Sequence, residues 1–293
     1  MADSEGGGSP PTSWLTPQLI EALRVAAVTV VGYGVVDRIL QEAARRLMAQ
    51  RPALRAMAHP VRWSTKTLAL LHATVLTCAG VRVLRETGAE MIDSSAPSLP
   101  LACGLSIGYF MCDTVSMYRN YCVDPLDLLG GGGGGDGGRR AGGTVAAGNT
   151  LRAFLRGNWL MVVHHALMAG LFIPVPLVLN RGHYIAGRMM LAELPTALVF
   201  IRWFLAQAGL KNSPVDLINS AAVLVSWWFT RVWVFPSLYL QLAATRGLSL
   251  AQTINQMSWM CHVGSTTIVA PQLYWLSLMM RSLHQVVTKG KIE

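Results

Sequence analysis

The chain has 293 residues, of which 52% are apolar and only 13% are charged. Soluble domains carry about 25% charged residues, so this composition excludes a disordered protein, a coiled coil and most soluble enzymes. The net charge of +9 would suit a nucleic-acid partner, but the apolar residues lie in blocks long enough to cross a bilayer. Arginines in cytosolic loops explain the excess in such a protein, and we expect no nucleic-acid partner.

The first 17 residues are polar and rich in Gly, Ser and Pro. They lack the basic stretch that begins a secretory signal peptide, so we expect a disordered segment that is not cleaved as a signal. Residues 18–60 should form an extra N-terminal span and a basic cytosolic loop.

Seven apolar blocks follow this segment, and most reach the length of about 20 residues that a helix needs to span a bilayer. They are continuous rather than alternating, which favours helices over the strands of a membrane barrel. The sequence therefore predicts an all-α polytopic membrane protein with about seven transmembrane helices. The predicted spans are Gln18–Val36, Thr65–Leu84, Ser98–Met117, Asn158–Leu179, His183–Ala206, Asp216–Leu240 and Gln256–Arg281.

The basic residues predict the orientation of these spans. One set of alternate loops and the C-terminal tail carries 16 Lys and Arg residues, and the other set carries 5. Cytosolic loops are enriched in Lys and Arg, so the N-terminus should be lumenal and the C-terminus cytosolic. The cytosolic set includes the segment 130–148, in which 11 of 19 residues are glycine and which should be a flexible linker.

The last five residues, Lys289 to Glu293, resemble the KxKxx signal that retrieves membrane proteins to the endoplasmic reticulum. That signal works only in the cytosol, where the charge distribution independently puts residues 284–293. A basic tail that binds anionic lipid is the alternative interpretation.

Four ionisable side chains should lie at one depth in the cytosolic leaflet, namely His72, Asp113, His164 and His165. With a rise of about 1.5 Å per residue, each lies roughly 6–11 Å from the cytosolic ends of its span. Ionisable groups in hydrocarbon are costly and commonly functional. A neutral imidazole can act as a general base or nucleophile, and a carboxylate can orient it.

Two other interpretations of this layer are open. The four groups could form a hydrogen-bonded network that only joins helices. A metal site is disfavoured because HExxH spacing and companion cysteines are missing, so no metal ligand is predicted.

A second group, Glu193 and Arg231, should lie deeper, roughly 14–15 Å from the lumenal face by the same rise per residue. We expect these two side chains to pair across a helix interface, most simply as a structural ion pair. His262 falls in the other leaflet and should not join the histidine layer.

Several stretches resemble the TLC-domain family (TRAM, LAG and CLN proteins), in its small ceramide-synthase-like branch. The resemblance covers roughly residues 61–283 and no single stretch is decisive. The stretches are Trp63-Ser64-Thr65 with His72, Gly108 to Asp113, Leu151 to Leu155 ahead of Leu160 to His165, Ala192 to Thr196, Arg231 with Phe235-Pro236, and Ala270 to Trp275.

The resemblance implies a TLC-type helical barrel with a central cavity that faces the cytosol, and a lipid as ligand. In ceramide synthases of this family a histidine pair carries acyl transfer from acyl-coenzyme A (acyl-CoA) to the amine of a sphingoid base. By this likeness His164 and His165 are the catalytic pair with Asp113, and His72, Glu193 and Arg231 bind lipid or line the cavity.

One departure from ceramide synthases is evident. Those enzymes continue to a His-Asp-x-x-Asp stretch, whereas Met190 to Thr196 here offers only Glu193 as an acid. A non-catalytic lipid-binding or lipid-homeostasis protein is therefore the alternative function. We expect the protein to reside in the endoplasmic reticulum, with the Golgi as a second location. We also expect no bound cofactor, acyl-CoA as co-substrate, membrane lipids as partners, and assembly as a homo- or heterodimer.

Overall fold

A computed structural model of the chain describes residues 14–50, 59–123 and 147–289, and this part is helical without strands. Residues 1–13 of the predicted disordered N-terminus, most of the glycine-rich linker and the end of the tail lie outside the described residues. The long helices and their short neighbours are α1 Pro17–Gln50, α2 Pro60–Thr87, α3 Leu99–Val123, α4 Ala147–Leu167, α5 Pro174–Leu179, α6 His183–Met190, α7 Leu194–Gln207, α8 Pro214–Trp227, α9 Val234–Arg246, α10 Leu250–Gln256 and α11 Trp259–Lys289.

The predicted all-α polytopic membrane fold is confirmed. In the described residues, five helical segments are long and apolar enough to cross a bilayer: Pro17–Gln50, Pro60–Thr87, Leu99–Val123, Thr150–Leu179 and His183–Gln207. A sixth span is obtained when Pro214–Val232 and Val234–Arg246, which meet at 44°, are counted together. The seventh predicted block lies mainly in α11, which is helical but is not among these candidates.

Three predicted spans are interrupted by irregular turns, and prolines lie close to each interruption. A π-helical turn, Met168–Phe172, precedes Pro174, and a second, Trp228–Val232, precedes α9 with its Pro236. A 3₁₀ turn, Leu191–Glu193, precedes Pro195. Proline lacks an N–H and its ring clashes with the carbonyl four residues earlier. In the π-helical turns the backbone hydrogen bonds therefore span five residues, as from Trp233 N–H to Trp228 O at 2.8 Å.

Helix α2 lies at the centre of the packing, since it contacts α1, α3, α6, the 3₁₀ turn and α7. Small residues allow the close approaches. A Cβ atom added to Gly80 would lie 2.9 Å from the carbonyl oxygen of Gly187 on α6. Association of helices in lipid depends on close van der Waals packing of this kind.

Helix α1 packs along α3 through two glycines. A Cβ atom on Gly104 would lie 2.5 Å from the carbonyl oxygen of Ala22, and one on Gly108 would lie 2.7 Å from that of Ala26. The two helices therefore meet backbone to backbone, which makes α1 an integral part of the bundle.

Asp37 fastens the other end of α1 to its neighbours. Its carboxylate is 3% exposed and accepts hydrogen bonds from Ser64 Oγ at 2.7 Å, Gln41 Nε2 at 2.8 Å and Arg119 Nη1 at 2.6 Å. A buried carboxylate is tolerated when it is paired and hydrogen-bonded. This network joins α1, α2 and α3 at one end of the bundle.

We expect Gly104→Ala to lower the free energy of unfolding by about 1–3 kcal/mol, the usual cost of overpacking. The added methyl group meets the α1 backbone, which cannot move aside as a flexible side chain would. Thermal unfolding of the purified protein in detergent measures the effect.

Gly34→Ala is the matched control, because a Cβ atom there has nothing within 4 Å. It should keep or raise stability, since alanine is better than glycine inside a helix by about 0.5–1 kcal/mol. Equal melting temperatures for the two variants would contradict the close packing of α1 on α3.

Candidate functional site

Asp113 and Thr114, adjacent on α3, hold His165 of α4. The Nδ1 atom of His165 lies 3.1 Å from Thr114 Oγ1, and its Nε2 atom lies 3.7 Å from Asp113 Oδ2. The imidazole is buried, and its ring centroid lies 5.0 Å from that of Phe110. Both ring nitrogens of His165 are therefore directed at one neighbouring helix.

The hydrogen bonds assign the proton on His165. The Thr114 hydroxyl donates its one proton to the Phe110 carbonyl at 2.9 Å, so at His165 it acts as the acceptor and Nδ1 carries a hydrogen. The Nε2 atom then faces the Asp113 carboxyl group. That contact is favourable only if a proton lies between the two groups, on the carboxyl group or on the imidazole.

His164 points away from this contact, because adjacent helical residues diverge by about 100°. Its ring lies 5.9 Å from Trp275 of α11 in an edge-on arrangement and 6.0 Å from the ring of His165. The positive charge of Arg231 acts on it. Within the part of the chain that the structure describes, its ring makes no hydrogen bond, so its nitrogens are open to a ligand.

His72 stacks flat on Tyr109, with ring centroids 3.7 Å apart and an angle of 7° between the planes. The Tyr109 hydroxyl donates to Asp113, four residues later on α3. The Nε2 atom of His72 is buried without a hydrogen-bond partner among the described residues. All four members of the predicted histidine layer thus meet around Tyr109 and Phe110.

Arg231, in the second π-helical turn, hydrogen-bonds to three segments. Its Nε donates to the Ala192 carbonyl at 2.7 Å, its Nη1 to Gln272 Oε1 at 3.0 Å and its Nη2 to Thr196 Oγ1 at 2.5 Å. Its guanidinium also lies over the Trp227 ring, 4.2 Å from the centroid. Two of its five N–H groups remain after these bonds.

Glu193 joins Arg231 through Thr196, whose hydroxyl hydrogen-bonds both side chains. The two charges attract each other, but the described residues contain no direct contact between them within 4.0 Å. The expected ion pair is thus bridged by a hydroxyl. Glu193 also acts electrostatically on Tyr109 and Asp113, so the two predicted groups form one polar region.

Several participants were not identified from the sequence. Thr114 follows Asp113 directly, and Gln272 and Trp275 belong to the stretch Ala270 to Trp275, so each was adjacent to a recognised motif. Nothing in the order of residues predicts that Thr114 contacts His165. His262 lies apart as expected: its Nδ1 atom faces the Tyr239 hydroxyl at 3.0 Å and its Nε2 atom the Ile254 carbonyl at 3.1 Å.

Comparison with known families identifies the architecture that carries this site. The sequence-family model of the TLC domain (TRAM_LAG1_CLN8) matches residues 62–281, which is well over half of the chain. The chain belongs to the TLC-domain family.

Two curated relatives agree with this assignment. TLC domain-containing protein 4-A of Xenopus laevis is 31% identical over 134 residues, covering 43% of this chain and 50% of that protein. TLC domain-containing protein 4 of Xenopus tropicalis is 31% identical over 134 residues, covering 43% and 49%. The chain spans about half the length of these curated relatives. No solved structure matches.

The polar region lies entirely within the matched TLC domain, whereas α1 lies outside it. The TLC domain here thus combines one oriented histidine, one open histidine and a cation in the same region. Such an arrangement can accept a proton at His164 and stabilise negative charge near Arg231.

We expect Arg231→Met to lower the free energy of unfolding by about 3 kcal/mol or more, at about 1 kcal/mol or more for each acceptor left unpaired. Methionine retains the apolar stem but leaves three acceptors unpaired, and a buried unpaired acceptor costs about 1–3 kcal/mol. Thermal unfolding in detergent tests this expectation.

Arg82→Met provides the comparison for the loss of an arginine. Arg82 pairs with Glu86 at 2.9 Å while its side chain is 69% exposed, and exposed pairs contribute less than about 1 kcal/mol. If both variants lost stability equally, Arg231 would have no special part in joining the helices.

Proposed function

We propose that this TLC-domain protein is an integral membrane acyltransferase that moves an acyl group from acyl-CoA to the amine of a sphingoid base. The single observation that carries the proposal is the different setting of two adjacent histidines. His165 is oriented by Thr114 and Asp113, while His164 is open, contacts Trp275 and lies within electrostatic range of Arg231.

In the proposed reaction His164 is the general base. The amine nitrogen attacks the thioester carbonyl carbon, a carbon–nitrogen bond forms, and the carbonyl oxygen gains negative charge. His164 takes the proton that the attacking nitrogen loses. Collapse of the intermediate breaks the carbon–sulfur bond, and the proton passes from His164 to the departing thiolate, giving an amide and free coenzyme A.

The neighbouring side chains have supporting roles in this scheme. Asp113 and Thr114 position His165, and these contacts hold α4 against α3. The ring of His165 lies 6.0 Å from that of His164. Arg231 supplies positive charge beside His164, where the oxyanion forms, and such charge stabilises the transition state in a site that excludes water. His72 and Glu193 contact the headgroup of the acceptor.

The alternative function is a TLC-domain protein that binds lipid without catalysis and regulates membrane composition. Two observations favour it. Glu193 is the only acid in the stretch where ceramide synthases have a second acidic motif, and many polar groups of the site already hydrogen-bond across helices. In this case the histidines would hold a headgroup or join helices.

We expect His164→Ala to reduce amide formation by about 10²–10⁴-fold, the usual contribution of a general base. His165→Ala should also reduce it, because the ring that packs beside His164 is lost. Membranes that carry each variant receive labelled acyl-CoA and sphinganine, and the labelled product is measured.

His262→Ala is the control, since this histidine lies outside the polar region, and it should leave product formation unchanged. Equal product from the wild type, His164→Ala and His165→Ala would rule out the acyltransferase. Lipidomics of a deletion strain separates the two functions: a loss confined to ceramides supports acyl transfer, whereas broad changes in phospholipid acyl chains support the alternative.

We further propose that the protein resides in the endoplasmic reticulum with its N-terminus in the lumen and its C-terminus in the cytosol. The support is the distribution of basic residues and the Lys289-to-Glu293 tail. With this orientation the histidine region lies in the cytosolic leaflet, where acyl-CoA is available.

A glycosylation acceptor sequence reports this orientation. We expect an Asn-x-Ser site inserted within residues 1–13 to be glycosylated, and the same site inserted within residues 131–135 to remain unmodified, because the modification occurs in the lumen. The reverse pattern would invert the topology. Replacement of Lys289 and Lys291 by Ser should move the protein out of the endoplasmic reticulum if the tail is a retrieval signal.

A further inference from the structure

A cavity lies away from the histidine region, near the end of α2 that is distant from His72. It has a volume of about 390 Å³ and is lined by residues of α2, α6, the 3₁₀ turn and the second π-helical turn. Leu84 lies 12 residues beyond His72 on α2, which is about 18 Å along the helix axis. The walls include Leu84, Tyr184, Arg188, Leu191, Phe229 and Trp233.

Arg188 is the charged residue in this lining. Its Nη1 donates to the Tyr184 hydroxyl at 3.2 Å and its Nη2 to Ser237 Oγ at 3.1 Å. Both hydroxyls use their own protons elsewhere, on Gln241 Oε1 and the Val234 carbonyl. The guanidinium is therefore fixed in place by neutral acceptors, and three of its five N–H groups are not used in these bonds.

The acidic side chains at this end of the bundle have other partners. Glu86 binds Arg82 and Ser98, Asp93 binds Arg181, and Glu90 accepts from backbone N–H groups of its own loop. Among the described residues no carboxylate lies within 4 Å of Arg188. An arginine within a span is normally paired or faces a polar cavity. The described part of the protein supplies no anion for Arg188, so its charge is left for a ligand to balance.

The remaining lining is apolar and aromatic. Leu84 and Leu191 form walls, and Phe229 and Trp233 form a rim in which their side chains are 56% and 41% exposed. Both aromatic residues lie at or next to the bend of the sixth candidate span. Arg188 lies about 8 Å from the start of α6, which is within reach of a lipid headgroup.

Two helix breaks line the cavity. The π-helical turn Trp228–Val232 contributes Phe229 and the 3₁₀ turn Leu191–Glu193 contributes Leu191, beside the packed contact between α6 and α9. Irregular backbone of this kind often lies at functional sites.

We propose that this cavity binds one anionic phospholipid, with its phosphate on Arg188 and an acyl chain along Leu84, Leu191 and Phe229. The phosphate supplies the missing negative charge and accepts the unused N–H groups, as arginine favours for phosphate oxygens. A free phosphate ion would satisfy the charge but leave the apolar walls and the aromatic rim without a function. The site is separate from the proposed acyltransferase centre and does not depend on it.

The test measures lipid binding to the purified full chain in neutral detergent. Wild-type protein is titrated with phosphatidylglycerol and with phosphatidylcholine of the same acyl chains, and bound lipid is counted by native mass spectrometry. We expect phosphatidylglycerol to bind about tenfold more tightly, which corresponds to one new charge-assisted contact. Arg188→Gln should abolish this preference, and millimolar inorganic phosphate should not displace the lipid.

Two further variants keep the proposal testable if Arg188→Gln is unstable. Leu191→Trp fills the cavity without a change of charge and should weaken both lipids. Arg181→Gln is the matched control, because Arg181 lies at the same end of the bundle but pairs with Asp93 at 2.6 Å and is 53% exposed. It should preserve the preference for phosphatidylglycerol.

Three results would overturn the proposal. Arg188→Gln could keep the wild-type preference while it remains folded, Leu191→Trp could bind both lipids as the wild type does, or inorganic phosphate could displace the lipid. The last result would indicate a site for the free ion. Equal loss of preference in Arg181→Gln would indicate nonspecific attraction of anionic lipid to surface charge and would also overturn it.

Discussion

The hydrogen bonds of Arg231 are the interaction on which the described bundle depends most. Hydrocarbon offers no partner for a guanidinium or for an open carbonyl, so each must be satisfied within the protein. Arg231 is presented by one helix break, and it binds the Ala192 carbonyl in another break, Thr196 at the start of α7 and Gln272 on α11. One side chain thus offsets the cost of two irregular turns. It joins its own turn to the stretch 192–196 and to α11, which are distant from one another in sequence.

Arg188 and Arg231 illustrate different solutions to the same electrostatic problem. Arg231 is attracted to the negative charge of Glu193 and hydrogen-bonds to Thr196, so its charge is balanced by the protein. Arg188 is held by two neutral hydroxyls beside an open cavity, so its geometry is fixed while its charge is not balanced. A fixed and unbalanced cation is suited to an anionic ligand, whereas a balanced cation is suited to structure and to a nearby reaction.

The histidine pair shows the same contrast between a side chain satisfied by the protein and one open to a ligand. Because adjacent helical residues diverge, His165 can be fully committed to α3 while His164 stays open to α11. Thr114 decides the tautomer of His165, since its own proton is already used by the Phe110 carbonyl. A single hydroxyl therefore determines which ring nitrogen carries the proton when the imidazole is neutral.

By itself, the sequence determined the membrane class, the helical fold, the family and the layer in which His72, Asp113, His164 and His165 meet. The membrane class, the helical fold and the layer follow from apolar block length and helical rise, which are local properties, whereas the family follows from the resemblance of short motif stretches. It placed Glu193 and Arg231 at similar depth but could not predict that Thr196 bridges them. Only the tertiary structure decided that Thr114 binds His165, that α1 packs on α3 at Gly104, and that Arg188 faces a cavity. Depth follows from position along one helix, but contacts depend on how each helix is rotated and where it breaks, and both are set by packing between segments far apart in the chain.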